Sequence, residues 1–413
     1  MISIAILGHG VVGSGVAEVL RRNEQSITAK AGDTLRVKRI LDLRSFPELP
    51  YADLFTTDFK DILQDEDIRI VVETMGGLHP AYDFVKACLL AGKSVVTSNK
   101  ELVAAQGDEL LAIARDNNLN FLFEASVGGG IPILRPIHQC LAANEVLEIT
   151  GILNGTTNFM LAKMIGEHMA FEEALALAQQ LGYAERDPSA DIEGHDACRK
   201  ICILASLAFG KHVLPEQVHT EGITRVSLRT VQCAAAASGA VKLIGRAIRD
   251  EAGQVFCLVA PMMVPQENLL AGVDGVFNGI TVRGDSVGDV TFVGRGAGKL
   301  PTASAVVADV IDAARNMAVR KPLFWEPPCE DYIADYRLQP YARMLRFTCA
   351  DVGALLQQVT DVFGAVQTLS LPGGSAELAV ITPAVNETEL EAKLAQLTGC
   401  QVVDCLRVYS PGV

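Results

Sequence analysis

Two lysines and a run of acids in the middle of the chain have the makings of a site that reduces a carbonyl. Lys100 closes Val95-Val96-Thr97-Ser98-Asn99-Lys100, and Lys200 closes Gly194-His195-Asp196-Ala197-Cys198-Arg199-Lys200. Reducing a carbonyl requires an acid that protonates the oxygen as hydride reaches the carbon, and a lysine shielded from water can serve. Glu185, Asp187, Asp191 and Asp196 cluster around Gly182-Tyr183, ahead of Lys200. Carboxylates there would hold the ammonium group of a small amino-acid substrate. On a helix, Asp196 and Lys200 stand four apart on one face. By spacing alone this is a surface ion pair worth about 0.3–0.5 kcal/mol. The apolar Ile201, Ile203 and Leu204 that follow would instead keep the pair partly dry.

Hydride needs a carrier, and the N-terminus offers a place for one. Gly8-His9-Gly10-Val11-Val12-Gly13 follows the apolar run Ile2–Leu7 and opens a helical stretch. In a G-x-G-x-x-G turn the first glycine permits the tight bend. The second lets a pyrophosphate approach the backbone, and the third lets helix and strand pack closely. The free N–H groups of the helix start then face the phosphates. The next strand ends in Leu41-Asp42-Leu43-Arg44. Asp42 suits the ribose 2′-hydroxyl of NAD and Arg44 the 2′-phosphate of NADP, so NAD and NADP both stay open. Glu124-Ala125-Ser126-Val127-Gly128-Gly129-Gly130-Ile131-Pro132 reads either as a flexible turn or as an oxygen cage for a hard cation.

These groups need elements to position them. Strands at Ile2–Leu7, Leu35–Leu41, Arg69–Thr74, Ser94–Thr97 and Asn120–Glu124 alternate with helices at Gly13–Asn23, Pro80–Ala91 and Glu101–Asn117. That alternation implies an α/β fold, a Rossmann-type doubly wound parallel sheet with its ligands at the strand ends. The middle, with helices at Phe171–Leu181 and Gly194–Phe209 and short strands between Val255 and Val293, reads as an α+β domain. A helix at Thr302–Met317 is expected to pack back on the first domain. Beyond Pro327-Pro328, strands at Met344–Ala350, Ala365–Leu371, Glu377–Thr382 and Gln401–Val408 alternate with helices at Gly353–Phe363 and Glu387–Leu397, the middle strands joined through Pro372-Gly373-Gly374. The order βαββαβ is that of a ferredoxin-like module. The division is therefore 1–130, completed by about 294–320, for the dinucleotide; 131–293 for substrate and dimerisation; 321–340 as linker; and 341–413 as the last module.

Composition narrows the class. The chain has 413 residues, 49% hydrophobic and 20% charged, with a formal net charge of −14. Two or three folded domains are expected. No basic face suggests nucleic acid. Apolar stretches break before membrane-spanning length, and no charged leader precedes the first strand. A cytoplasmic protein with no nucleic-acid or membrane partner is expected. Ten cysteines without a Cys-x-x-Cys pair read as buried small hydrophobes rather than a disulfide framework.

Longer motifs carry a resemblance. Ala178-x-x-x-Gly182-Tyr183-Ala184-Glu185-Arg186-Asp187-Pro188, continuing through Asp191-Ile192, Gly194 and Asp196 to Lys200, is similar to the signature of the homoserine dehydrogenases. Gly151-Ile152-Leu153-Asn154-Gly155-Thr156-Thr157-Asn158 resembles their substrate-domain entry. Gly294-Arg295-Gly296-Ala297-Gly298 with Pro301–Val306 resembles their return to the nucleotide domain. The resemblance runs from about residue 2 to 320. It implies reversible NAD(P)-dependent reduction of L-aspartate 4-semialdehyde to L-homoserine, in the supply of threonine, methionine and isoleucine. Lys200 then donates the proton, and Lys100 lies beside nicotinamide and substrate. Gly182, Glu185 and Asp196, with Asp191 nearby, contact homoserine. Thr74 and Gly298 touch the cofactor. Glu124 and the carbonyls of Val127, Gly129 and Ile131 form a sodium site. A homodimer through the middle domain, or a homotetramer, is implied as well. The C-terminal module resembles an ACT domain, which in relatives often binds an inhibitory amino acid. Two positions depart from the pattern. Leu41 stands where many relatives have Arg, and Ala350-Asp351-Val352-Gly353 replaces an Asp-Arg-Pro-Gly turn. The rival readings are a cysteine-dependent semialdehyde dehydrogenase and a non-catalytic amino-acid sensor.

Overall fold

Six parallel strands carry the N-terminal sheet in a computed structural model that describes residues 1–371, 373 and 376–411. They are β1 (Ile2–Leu7), β2 (Leu35–Leu41), β3 (Phe55–Thr56), β4 (Ile68–Glu73), β5 (Ser94–Thr97) and β6 (Phe121–Leu122). Their order is β3-β2-β1-β4-β5-β6, so the chain reverses its direction of travel between β1 and β4. In open α/β sheets the crevice at such a switch point holds the ligand. β1 is buried almost throughout, as a parallel strand covered on both faces must be. Val306, Val307 and Val310 of the helix Lys299–Arg315 join Ile4, Ile6 and Val16 in one core. The late helix thus completes the first sheet, as its sequence implied.

The chain divides into two compact units. The first comprises Met1–Glu145, Cys202–Pro215 and Gly294–Glu330; the second takes Val146–Ile201, Glu216–Val293 and the chain from Asp331 onward. The second unit is built on one mixed sheet of ten strands. These are β7 (Val146–Ile152), β8 (His219–Thr220), β9 (Gly239–Arg249), β10 (Val255–Pro265), β11 (Phe277–Gly284), β12 (Gly288–Arg295), β13 (Arg343–Cys349), β14 (Gln367–Thr368), β15 (Glu377–Ile381) and β16 (Cys400–Val408). The order is β12-β11-β7-β9-β10-β16-β13-β15-β14, with β8 beside β10. The last four strands and two helices make the expected βαββαβ unit, with spatial order fourth-first-third-second. β16 pairs in parallel with β10 at Met262–Arg407 and Met263–Val408, so the module extends the middle sheet.

Several expectations need correction. The strand expected over Ala365–Leu371 is only Gln367–Thr368; of the turn after it, Pro372 and Gly374 lie outside the described residues. The strands between Val255 and Val293 are not short: β10 runs for 11 residues. β7, β9 and the helices Gly155–Gly166 and Leu228–Ala236 were not anticipated. β9 and β10 are buried on both faces along most of their length. They therefore lack the alternation that marks a strand in sequence. All ten cysteines are free thiols; six are buried as expected, but Cys140, Cys329 and Cys405 are exposed and Cys400 is half-buried. Among the described residues, no helix is long and apolar enough to cross a membrane.

An ion cluster fastens the C-terminal module to the middle sheet. Arg407 of β16 donates to Glu221 at 2.8 Å and to Glu387 at 2.6 Å, and His219 lies 2.7 Å from the same Glu221 carboxylate. Burial opposes ionising Glu221, but His219 and Arg407 outweigh it and bring its pKa down from 4.5 to about 2. Because the folded value is depressed, this stabilisation is complete above the unfolded value and is withdrawn as pH falls toward the folded one. Glu221→Gln should lower the melting temperature at pH 7 by roughly 2–4 °C, about 1 kcal/mol. In melts read by circular dichroism, the gap should narrow between about pH 5 and about pH 3. A gap that stays constant over that range would refute the assignment.

Candidate active site

The turn after β1 is shaped by what its glycines lack. Gly8 has φ +92°, a left-handed conformation that glycine tolerates. A Cβ on Gly13 would lie 1.9 Å from the Gly8 carbonyl oxygen, so only hydrogen fits. A Cβ on Gly10 would meet nothing within 4 Å, so open space lies on that side of the turn. Helix Val11–Arg22 begins there without a side-chain cap or an acid in its first turn. Its exposed N–H groups therefore face that space as an anion site. Thr74 hydroxyl donates to the carbonyls of Leu7 (3.1 Å) and Gly8 (2.9 Å), pinning the turn from β4. Gly298, at φ +122°, starts the helix Lys299–Arg315.

Asp42 and Arg44 lie together at the end of β2. Arg44 Nε and Nη2 clasp the two carboxylate oxygens at 2.9 Å each. The backbone N–H of His9 (2.8 Å) and of Arg44 (3.0 Å) complete the carboxylate's four acceptor positions. The Arg44 guanidinium, helped by the backbone donors and opposed by partial burial, holds the Asp42 carboxyl well below the usual carboxylate range. Lys100, partly buried, is the first residue of the helix Lys100–Asp116, whose cap is Asn99, with Oδ1 accepting from Leu102 N at 3.1 Å.

In the second unit, Lys200 is only 7% exposed. Its Nζ donates to the Leu153 carbonyl and to Asp196 Oδ2, both at 2.7 Å. Asp196 is 6% exposed, so the pair is not the solvated surface bridge that spacing alone describes. Asn154 stands beside it. Its Nδ2 donates to Asp196 Oδ2 (2.8 Å) and Asp191 Oδ1 (2.7 Å), while its Oδ1 caps the next helix by accepting from Thr157 N at 2.8 Å. Burial raises the pKa of Asp191; the Asn154 amide pulls it back and the Asp196 charge adds to the rise. The structure thus brings Lys200, Asp196 and Asp191 together. It does not bring Glu185 to them: that residue lies on the exposed loop after Gly182, where its carbonyl accepts from Gln179. Gly182, at φ +75°, ends the helix Phe171–Gln180 and starts that loop. Asn154 and the Leu153 carbonyl are the site groups the residue types did not single out. Their trace in the sequence is the Asn-Gly-Thr-Thr helix start.

Comparison with known proteins fits this geometry. The family model described as homoserine dehydrogenase matches residues 132–311, and that of the homoserine dehydrogenase NAD binding domain matches residues 8–124. A Synechocystis homoserine dehydrogenase is 40% identical, over 97% of both chains. The chain belongs to the homoserine dehydrogenase family. The homoserine dehydrogenase crystal structure from Thiobacillus denitrificans superimposes with a TM-score of 0.91 at 35% identity, covering 100% of this chain and 99% of that one. A hyperthermophilic archaeal homoserine dehydrogenase in complex with NADPH matches with a TM-score of 0.64 at 28% identity, over 76% of this chain and 97% of that one. As a member of that family, the chain is an NAD(P)-dependent oxidoreductase.

The Glu124 segment folds as a tight knot. Glu124 Oε1 accepts from Ile133 N (2.6 Å) and Leu134 N (2.9 Å), and Oε2 from Arg135 N (2.8 Å). Gly128 carbonyl accepts from Ile131 N at 2.8 Å. Gly129 sits at φ +57° against Gly296, where a Cβ would be 2.3 Å from the Gly296 carbonyl oxygen. The three glycines therefore serve close backbone approach, not flexibility.

Gly13→Ala forces a methyl group into the Gly8 carbonyl, so the turn must open. Binding of the reduced dinucleotide, followed by its fluorescence, should weaken by about tenfold or more, equal to about 1.4 kcal/mol. Unchanged affinity in the folded variant would show that the turn does not hold the pyrophosphate.

Proposed function

We propose that Lys200 is the proton donor for reduction of L-aspartate 4-semialdehyde to L-homoserine, and that Asp196 and Asp191 hold the substrate ammonium. The burial of the Lys200–Asp196 pair carries this reading. In a site with little water, an ammonium held by a carboxylate and a carbonyl is fixed in place and can serve as the acid for a substrate oxygen. As negative charge grows on the aldehyde oxygen, Lys200 passes it a proton. In the reverse direction, Lys200 takes the proton from the homoserine hydroxyl. Asn154 keeps the two carboxylates apart and oriented. Gly182 and Glu185 contribute from the exposed loop, and Lys100 serves the nicotinamide side. When bound, the dinucleotide supplies or accepts the hydride. Gly8, Gly10, Val11, Val12 and Gly13 cradle its pyrophosphate, with Thr74 and Gly298 as further contacts.

Lys200→Ala should lower homoserine-dependent turnover by at least about a hundredfold, the scale of a lost general acid. The readout is absorbance at 340 nm in the homoserine-oxidising direction. Near-full turnover by the folded variant would remove Lys200 from the mechanism.

For cofactor choice, NADP is the better fit. The Arg44 side chain is 61% exposed and able to turn toward a 2′-phosphate. Support also comes from the archaeal relative solved with NADPH. Arg44→Ala should raise KM for NADP by about tenfold, the effect of losing a charged hydrogen bond, while leaving KM for NAD nearly unchanged. Equal KM shifts for both cofactors would refute the role of Arg44.

Glu124 with the carbonyls of Val127, Gly129 and Ile131 fits a sodium site in donor chemistry, because all are hard oxygens. Three of the four carboxylate acceptor positions already take backbone N–H groups, leaving one for an ion. The C-terminal module, with its ferredoxin-like strand order, is read as an ACT-like domain open to an amino-acid effector such as threonine. Its helix start is capped by Asp351, which accepts from Ala354 N at 2.9 Å. A homodimer or homotetramer and a cytoplasmic location complete the reading, on the strength of the family resemblance.

A further inference from the structure

Glu73 ends β4 at the switch point, and no water reaches it: its exposure is 0%. A carboxyl group there must find its partners in the protein. On one side, Oε1 accepts from the backbone of Met75 (2.6 Å) and Gly76 (3.3 Å), in the loop that begins with the proposed cofactor contact Thr74. That loop packs on the dinucleotide turn, because a Cβ on Gly8 would lie 3.0 Å from the Met75 side chain. On the other side, Oε2 accepts from the Thr97 hydroxyl. Thr97 itself is 0% exposed and ends β5. Its oxygen accepts from Asn99 N at 2.9 Å. Asn99 caps the helix that Lys100 opens, and its Nδ2 donates to the Gly77 carbonyl at 2.7 Å. Gly76 and Gly77, at φ +80° and +71°, let the loop bend back far enough to meet Asn99. One buried carboxylate therefore ties the loop after β4 to the turn that delivers Lys100.

We propose that Glu73 and Thr97 form a positioning bridge for Lys100: Glu73 orients the Thr97 hydroxyl, Thr97 fixes Asn99, and Asn99 sets where the Lys100 side chain leaves the sheet. Neither residue touches substrate or cofactor. Burial pushes the Glu73 carboxyl above its ordinary range while the Thr97, Met75 and Gly76 donors pull it back. A buried network with every member satisfied is rigid, and removing one member leaves the others unpaired in a place water does not reach. Lys100 would then sample several positions instead of one, and a displacement of about 1 Å can cost about a hundredfold in rate.

The inference rests on Lys100 acting in turnover, so Lys100→Ala is assayed in parallel. Thr97→Val keeps the shape of the side chain and deletes the bridge; Thr97→Ser restores the hydroxyl. Turnover is expressed per dinucleotide-binding site, titrated by cofactor fluorescence, so that loss of folded protein does not enter. Thr97→Val should lower kcat by about tenfold or more, with KM for homoserine within about twofold, because the Lys200 pocket is untouched. Thr97→Ser should return kcat to within about twofold of wild type. Glu73→Gln, nearly the same shape, should repeat the loss. Combined with Thr97→Val it should add little, because both break one bridge. If Thr97→Val does not fold, Glu73→Gln carries the test. Turnover within twofold of wild type in both variants overturns the proposal, and so does a loss that Thr97→Ser leaves in place. Near-full turnover by Lys100→Ala would overturn the role of Lys100 and this bridge with it. A large loss there, with Thr97→Val and Glu73→Gln intact, would overturn the bridge alone.

Discussion

Keeping an ammonium charge out of water is the constraint on which the second unit is arranged. Lys200 is ionised chemistry placed in a core, and a lone buried charge costs several kcal/mol unless it is paired and hydrogen-bonded. The compensation comes from three separate elements. Leu153 presents a carbonyl just past the end of β7, Asn154 serves as both helix cap and amide donor, and Asp196 stands one turn earlier on the lysine's own helix. For the Leu153 carbonyl and Asp196 to meet one nitrogen, with Asn154 holding the carboxylate, β7 and the helix His195–Phe209 must lie close, and β9 must not intrude. Gly245 of β9, register partner of Gly151, answers that need: a Cβ there would sit 2.8 Å from the Leu153 side chain and 3.3 Å from Ile201.

The same tension recurs away from the site. β9 carries Lys242 and Arg246 with 0% and 1% exposure. Lys242 finds the Val273 carbonyl at 2.7 Å, and Arg246 meets Glu148 at 2.8 Å and the Ser410 carbonyl at 3.0 Å. Such charges contribute little net stability compared with apolar residues of the same size. They do make register expensive to lose, because a slipped strand would strand each charge without its partner.

How far the sequence could be read follows from these particulars. The first sheet was legible because β1 and β5 are short apolar runs bounded by glycine or polar turns, with helices between them. The G-x-G-x-x-G turn sat where that alternation needed it. The acids and lysine around residue 200 were visible as types, but their burial was not: a spacing of four describes an exposed pair as well as a dry one. β9 escaped notice because Lys242 and Arg246 break its apolar run, and only the tertiary partners make those charges acceptable there. Glu73 read as the end of a strand, since nothing in Glu-Thr-Met-Gly-Gly reveals a hydroxyl donor 24 residues onward. Asn154 hid inside a motif whose glycine and threonines signalled a helix start, not a bridge between two acids.

The pairing of β16 with β10 has a consequence for how the chain could be shortened. The second edge of β10 is closed by two fragments, β8 at Leu258 and Val259 and β16 at Met262 and Met263. The C-terminal strand also delivers Tyr409 into the apolar cluster of the middle sheet and the Ser410 carbonyl to Arg246. A chain cut ahead of β13 would therefore lose a piece of its interior along with its appendage. It would leave part of a strand edge bare, an invitation to intermolecular sheet growth, and strip one acceptor from a buried guanidinium. Any functional comparison with a truncated enzyme would confound loss of the C-terminal module with damage to the middle sheet, unless the exposed edge were first closed by design.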